Sequence, residues 1–206
     1  MSKLILYTNA QSRGRIAHWL MEEVGQPYDT VWLEFGAPMH TQAYLDINPM
    51  GKVPALQHGD AIVTEAAAIC AYMADTFPQA GLIPPAGTPE RAAFYRWLFF
   101  TAGPIEMATT AKSLGWDVPQ GKSGMVGFGS YGLALDTLEK ALQPGPYVCG
   151  DRFTAADVYV GSALAWGMMT GAVEKRPAFA HYVARLQERP AAIRANQINS
   201  DKMKAG

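Results

Sequence analysis

Apolar and polar positions recur along this chain with two different periods, and the change of period divides it. Leu4-Ile5-Leu6-Tyr7 is a short unbroken apolar run, as expected of a strand covered on both faces. Asn9-Ala10-Gln11-Ser12 follows as a turn, and Ser12 is a residue suited to opening a helix. Ile16, Leu20 and Val24 then recur at helical spacing beside Ala17 and Met21, while Arg15, His18 and Glu22 hold the opposite face. Gly25 supplies the stop. Residues 28–33 read as a second strand, so the segment forms a βαβ unit with a right-handed crossover. Val53-Pro54-Ala55-Leu56 and Ala61-Ile62-Val63-Thr64 flank His58-Gly59-Asp60 and predict a hairpin. Glu65 begins another helix, with Ile69, Cys70, Met73 and Phe77 on one stripe.

Residues 77–88 hold three prolines and two glycines, which neither a helix nor a central strand carries. Beyond them the period is helical alone. Thr88-Pro89-Glu90 is an N-cap with proline at the first helical position, leading to Phe94, Trp97 and Leu98. Gly103-Pro104 is expected to bend or interrupt that helix. Tyr131, Leu135, Leu138 and Leu142 mark a further one. Residues 155–169 are apolar nearly all round, which predicts a buried helix. Phe179, Tyr182, Val183 and Leu186 give another, ended by Pro190, and the polar last dozen residues are expected to fray. The predicted architecture is an α/β domain over 1–77 (βαβ then ββα, a mixed four-stranded sheet), a linker over 78–88, and an all-α helical domain over 89–206.

With 206 residues, 49% of them hydrophobic, the chain can bury a sizeable core. The formal charge is −1 and no basic stripe is present, so a nucleic-acid partner has no electrostatic support. The opening apolar run is too short for a signal peptide, and no stretch of about 20 apolar residues exists to span a bilayer. The expected location is cytoplasmic. Cys70 and Cys149 are far apart and belong to no Cys/His cluster, so neither a metal site nor a dithiol is expected.

Three local features carry chemistry. Val53-Pro54 places a proline where a strand loses a ladder donor, which requires an edge, a bulge or a cis bond. A cis bond would turn the chain and leave the Val53 amide and carbonyl facing outward, able to pair with an extended peptide. The plain alternative is a trans edge proline. Thr64-Glu65-Ala66 lies at a strand-to-helix junction, where helix amides attract a carboxylate and Glu65 can hold an ammonium beside it. Alternatively Glu65 only complements the helix dipole. Ser12 stands at a helix start, where a hydroxyl, free amides and the dipole favour a thiolate. It is equally an ordinary N-cap.

Together these features resemble the cytosolic glutathione transferase superfamily, in its serine-type, bacterial-like form, across essentially the whole chain. The segment NPMGKVPALQHGDAIVTEAAAICAYMADTFP, Asn48 to Pro78, carries most of the likeness. The resemblance implies a thioredoxin-like first domain, glutathione as co-substrate without a metal, and a homodimer. It implies that Pro54 is cis and that Val53 pairs through its backbone with the cysteinyl unit of glutathione. Glu65 and Ala66 would take the γ-glutamyl end, with His40 and Lys52 near the glycyl carboxylate. Phe153-Thr154-Ala155-Ala156-Asp157 matches the family's structural capping box. A second-substrate pocket is expected between the domains, lined by Ala10, Met107, Trp116 and Trp166.

Two departures from the family pattern stand out. Ala66 lacks the hydroxyl many members have there, and the thiol-activating residue is open: Ser12 first, then Asn9, then Tyr7. No cysteine occupies that turn, which argues against the thiol-transfer branches. The implied reaction is attack by the glutathione thiolate on a small hydrophobic electrophile, a detoxification chemistry. The alternatives are peroxide reduction, isomerisation or dehalogenation at the same site, or a non-enzymatic ligand carrier of the same fold.

Overall fold

The structure is a computed structural model that describes residues 2–205. They form two units, one of residues up to Leu82 together with those from Glu188 onward, the other Ile83–Gln187. In the first unit the strands are β1 (Leu4–Thr8), β2 (Asp29–Trp32), β3 (Ala55–His58) and β4 (Ala61–Thr64), in the order β2-β1-β3-β4. β1 runs parallel to β2 and antiparallel to β3, which pairs antiparallel with β4. The mixed sheet expected from the sequence is therefore present. β3 begins two residues later than the apolar run, because Pro54 has no N–H to give a ladder. Helix α1 (Gly14–Val24) and α3 (Ala66–Thr76) pack on each other, and the short α2 spans Gln42–Leu45. Leu6, Leu20, Leu56, Ile69 and Met73 are wholly or almost wholly buried and form the core of this unit. Gly25 ends α1 in the left-handed region (φ 70°), with its amide donating to the Met21 carbonyl.

The C-terminal segment differs from expectation. Instead of fraying, residues after Pro190 form a helix, α9 (Pro190–Ala205), and it belongs to the first unit rather than to the helical domain. Pro190 is its first residue, a position where the missing N–H costs nothing. Its buried stripe is Ala191, Ala192, Ala195 and Asn199, too small and too polar to signal a buried helix in the sequence. It docks on the face of α1 that the pattern assigns to solvent. Arg15 donates to Asn196 (3.0 Å), and Arg194 pairs with Glu22 (3.0 Å). Arg189 grips the almost buried Glu23 carboxylate with two bonds, 2.7 and 2.8 Å. His18 is fully buried. The Asn199 amide nitrogen donates to the Ala195 carbonyl (2.7 Å), so its oxygen faces His18 and accepts from Nδ1 (3.2 Å). Nε2 then accepts from the Thr30 hydroxyl (3.4 Å). Burial lowers the His18 pKa below the ordinary histidine value, against the opposing pull of the Asn199 bond.

The second unit contains α4 (Pro89–Phe100), α5 (Glu106–Leu114), α6 (Tyr131–Ala141), α7 (Ala155–Thr170) and α8 (Pro177–Gln187). Thr88 caps α4 by accepting from the Arg91 amide (3.3 Å). Gly103-Pro104 widens the chain into a π turn, Thr101–Ile105, between α4 and α5. The first half of α7 is buried as expected, while Trp166 and Met169 in its second half are exposed. Its start is the expected capping box. Asp157 accepts from the amides of Val148 and Thr154 (both 2.8 Å), the Thr154 hydroxyl (3.0 Å) and the Tyr182 hydroxyl (2.8 Å). Burial raises its pKa above the usual carboxylate value, opposed by those four donors.

Candidate active site

Strand register gathers the predicted residues at one end of the sheet. Tyr7 lies opposite Ala55, and Ala55 opposite Thr64. Just beyond this last row, Thr8-Asn9, Val53-Pro54 and Glu65-Ala66 leave the sheet at the same end. This is the carboxyl end of β1, β2 and β4, where open α/β sheets place their ligands. The Val53-Pro54 peptide is cis. The loop leading to it is anchored at the Lys52 carbonyl, which accepts from Tyr44 Oη and Asn48 Nδ2, both at 2.6 Å. Burial pushes the Tyr44 hydroxyl up to about 12, so it remains a donor at neutral pH. Asn48 also accepts from the Met50 amide (3.1 Å). Asn48 and Tyr44 are thus scaffold residues that the sequence pattern did not single out. His40 and Lys52 are both exposed. Gly51 adopts φ 60°, which favours glycine; a Cβ there would also come within 2.7 Å of the exposed His40 ring and 3.0 Å of the Met39 carbonyl.

Glu65 is outside the helix it was expected to begin. Among the described residues it is the one non-glycine residue with positive φ (67°), and α3 starts at Ala66. Such a conformation costs of order 1–3 kcal/mol and persists where the surroundings impose it. It turns the chain from β4 into α3, and the Glu65 side chain is exposed beside the helix N-terminus. The Glu65 carbonyl accepts from the Ile69 amide (2.9 Å), so the amides of the first turn precede the first helical bond.

The three candidates for a thiol partner differ in how their polar atoms are engaged. Tyr7 Oη donates to Gln57 on β3 (3.0 Å), and its ring packs on Tyr44 at 5.7 Å. Asn9 is buried; its Nδ2 donates to the Leu33 carbonyl (2.8 Å) and its Oδ1 accepts from the Gln11 amide (2.8 Å). Ser12 is half-buried. Its Oγ accepts from the Gly14 amide (2.9 Å) and donates to the Asn9 carbonyl (2.8 Å). The helix begins two residues after Ser12, yet the hydroxyl still caps its first amide. Gly14 has no alternative: a Cβ there would meet the buried Thr8 hydroxyl at 1.9 Å.

Beside this turn lies a cavity of about 120 Å³. Asn9, Ala10 and Gln11 line it together with Trp32, Leu33 and Glu34 and with Lys202 and Met203 of α9. Ala10 is among the residues that line this cavity. Met107, Trp116 and Trp166 belong to the second unit, each about half exposed. Cys70 and Cys149 are free, and burial raises the Cys149 thiol to about 12, which leaves it inert. Among the described residues no group of three or more metal-ligating side chains is placed to hold an ion, and no helix is long and apolar enough to cross a membrane.

A thioredoxin-like sheet followed by a helical unit, with a cis-proline loop and a strained acidic residue at one sheet end, defines the class. Comparison with known proteins then gives the family. The glutathione S-transferase N-terminal domain matches residues 2–75 and the C-terminal domain residues 131–185. The chain is 31% identical over 149 residues to glutathione S-transferase GstA of Escherichia coli O157:H7, covering 71% of this chain and 73% of that one. Its fold matches the crystal structure of a glutathione transferase from Methylococcus capsulatus (TM-score 0.79, 30% identity, 96% of this chain and 98% of that one). It also matches a glutathione transferase homologue from Sulfitobacter with bound glutathione (TM-score 0.76, 26% identity, 96% and 98%). This chain belongs to the glutathione S-transferase family, a family of enzymes.

Proposed function

We propose that the sheet end built by Val53-Pro54, Glu65-Ala66 and the β1–α1 turn binds glutathione and presents its sulfur to Ser12. The single observation that supports this most is the register: Tyr7, Ala55 and Thr64 stand opposite one another in the last row of the sheet, and Asn9, Val53 and Ala66 lie just beyond it in their own segments. A tripeptide laid across that end pairs with the Val53 backbone in the manner of an added strand. Its γ-glutamyl carboxylate meets the Ala66 amide at the start of α3, and its ammonium meets the Glu65 carboxylate. The glycyl carboxylate lies toward His40 and Lys52. The bound thiol gives its proton to solvent, and its thiolate forms a sulfur–carbon bond to a small electrophile. Where the acceptor carries a leaving group, that group departs with the bonding pair. The same proposal takes the enzyme to be a cytoplasmic homodimer.

Among the three candidates Ser12 is best suited to hold the thiolate. Tyr7 is tied to Gln57 on β3 and Asn9 to the Leu33 carbonyl just after β2, whereas the Ser12 hydroxyl needs only to rotate away from the Asn9 carbonyl. The Gly14 amide continues to donate to Oγ, which polarises the O–H toward the sulfur. Calorimetric titration of glutathione tests the binding mode. Glu65→Gln keeps the shape and removes the charge, and is expected to weaken glutathione about tenfold, or about 1.4 kcal/mol. Equal affinity in the two proteins contradicts the assignment of Glu65.

A further inference from the structure

The cavity beside Asn9–Gln11 carries a charge pattern that says what it accepts. Trp32 forms a fixed wall, its ring packed at 5.0 Å on the buried His18, which Asn199 and Thr30 hold. Lys202 follows Asn199 by three residues on α9, almost one helical turn, so the network that locks Trp32 also sets the position of Lys202. Its ammonium lies over the Trp32 ring, 6.0 Å from the centroid, and it is half-buried. Among the described residues Lys202 has no carboxylate partner. Glu34, the acid on the same cavity, is exposed. Its charge is screened by solvent more than that of a half-buried ammonium.

Size limits the occupant. An engineered apolar cavity of about 150 Å³ holds one benzene ring, so about 120 Å³ covers one ring, and anything larger extends from it into solvent. A planar ring laid against Trp32 gains an aromatic contact, and an anionic substituent on it reaches the Lys202 ammonium.

We infer that this cavity is a binding site for single aromatic rings bearing an anionic group, that Trp32 supplies the stacking wall, and that Lys202 sets the charge preference. In the proposed glutathione reaction, on which this assignment of role rests, the site receives the electrophile, since Asn9, Ala10 and Gln11, the residues just before Ser12, line it.

Two probes differing only in charge, 4-nitrobenzoate and 4-nitrobenzamide, test the site without requiring turnover. Calorimetry on the full chain is expected to show the benzoate binding at least fivefold tighter than the amide. The ratio falls to about one in Lys202→Gln and rises in Glu34→Gln, and in the wild type it shrinks with added salt. In an NMR titration the benzoate shifts the indole N–H resonance that disappears in Trp32→Phe. Equal affinity for the two probes in the wild type, or a ratio that survives Lys202→Gln, overturns the inference. A parallel titration with glutathione separates the two readings. If the nitrobenzoate is discriminated while glutathione does not bind at millimolar concentration, the cavity preference stands and the glutathione reading falls. If glutathione binds and the probes are not discriminated, the reverse holds.

Discussion

Replacing Ser12 by alanine isolates the step on which thiol activation depends. The hydroxyl donates to a neutral carbonyl, Asn9 O at 2.8 Å, a bond with a net value of about 0.5–1.5 kcal/mol. Turned to a thiolate it makes a bond to a charged partner, about 1.5–3 kcal/mol. The midpoints differ by about 1.3 kcal/mol, which corresponds to about one pKa unit of the bound thiol. Ser12→Ala is therefore expected to raise that pKa by about one unit. At a pH below it, turnover slows about tenfold, and glutathione affinity changes little. The variant also removes the acceptor for the Gly14 amide, which costs about 1 kcal/mol of stability in the manner of a lost N-cap. Ser12→Thr retains both bonds and serves as the control. The assay is ultraviolet difference titration of the bound thiolate, with thermal unfolding recorded in parallel. A bound-thiol pKa that does not move in Ser12→Ala refutes the reasoning, whatever the stability change.

Two further outcomes test the scaffold. Asp157→Ala strands four buried donors, from Val148, Thr154 and Tyr182, at about 1–3 kcal/mol each before relaxation. Against a total stability of about 5–15 kcal/mol, the variant is expected to fold poorly, and a melting temperature within a few degrees of the wild type contradicts this account of the box. His18 is held neutral by burial, so the unfolded chain binds its proton more readily than the folded one. Its contribution to stability is complete above about pH 6.5, the ordinary histidine value, and is lost as pH falls through the lowered folded value. Melting temperature against pH should fall over that range and flatten in His18→Gln; an unchanged slope in the variant refutes it.

The parts of the candidate site that the structure brings to one sheet end were legible because each is local. Pro54 in a strand run, Gly59 in the hairpin turn and an acid before the Ala66 helix each carry their own signal within a few residues. The hairpin then fixes their mutual alignment, because antiparallel register leaves no freedom once the turn is placed. The sequence was mute where function depends on residues far apart. α9 escaped notice because Ala191, Ala192, Ala195 and Asn199 bury little apolar area, and its docking relies on polar pairs with α1. Arg15, His18 and Glu22 looked like a solvated stripe for the same reason. Trp32 and Lys202 meet across 170 residues, a distance over which periodicity says nothing. The engagement of Ser12 with Asn9, and the anchoring of Lys52 by Tyr44 and Asn48, follow from turn geometry that composition does not encode.

The most direct measurement is a crystal structure of the protein grown with millimolar glutathione. The account predicts an extended tripeptide paired with the Val53 backbone, its γ-glutamyl end at Glu65 and Ala66, and its sulfur within hydrogen-bonding distance of Ser12 Oγ. A tripeptide bound elsewhere, or a sulfur whose nearest polar neighbour is Tyr7 or Asn9, contradicts it.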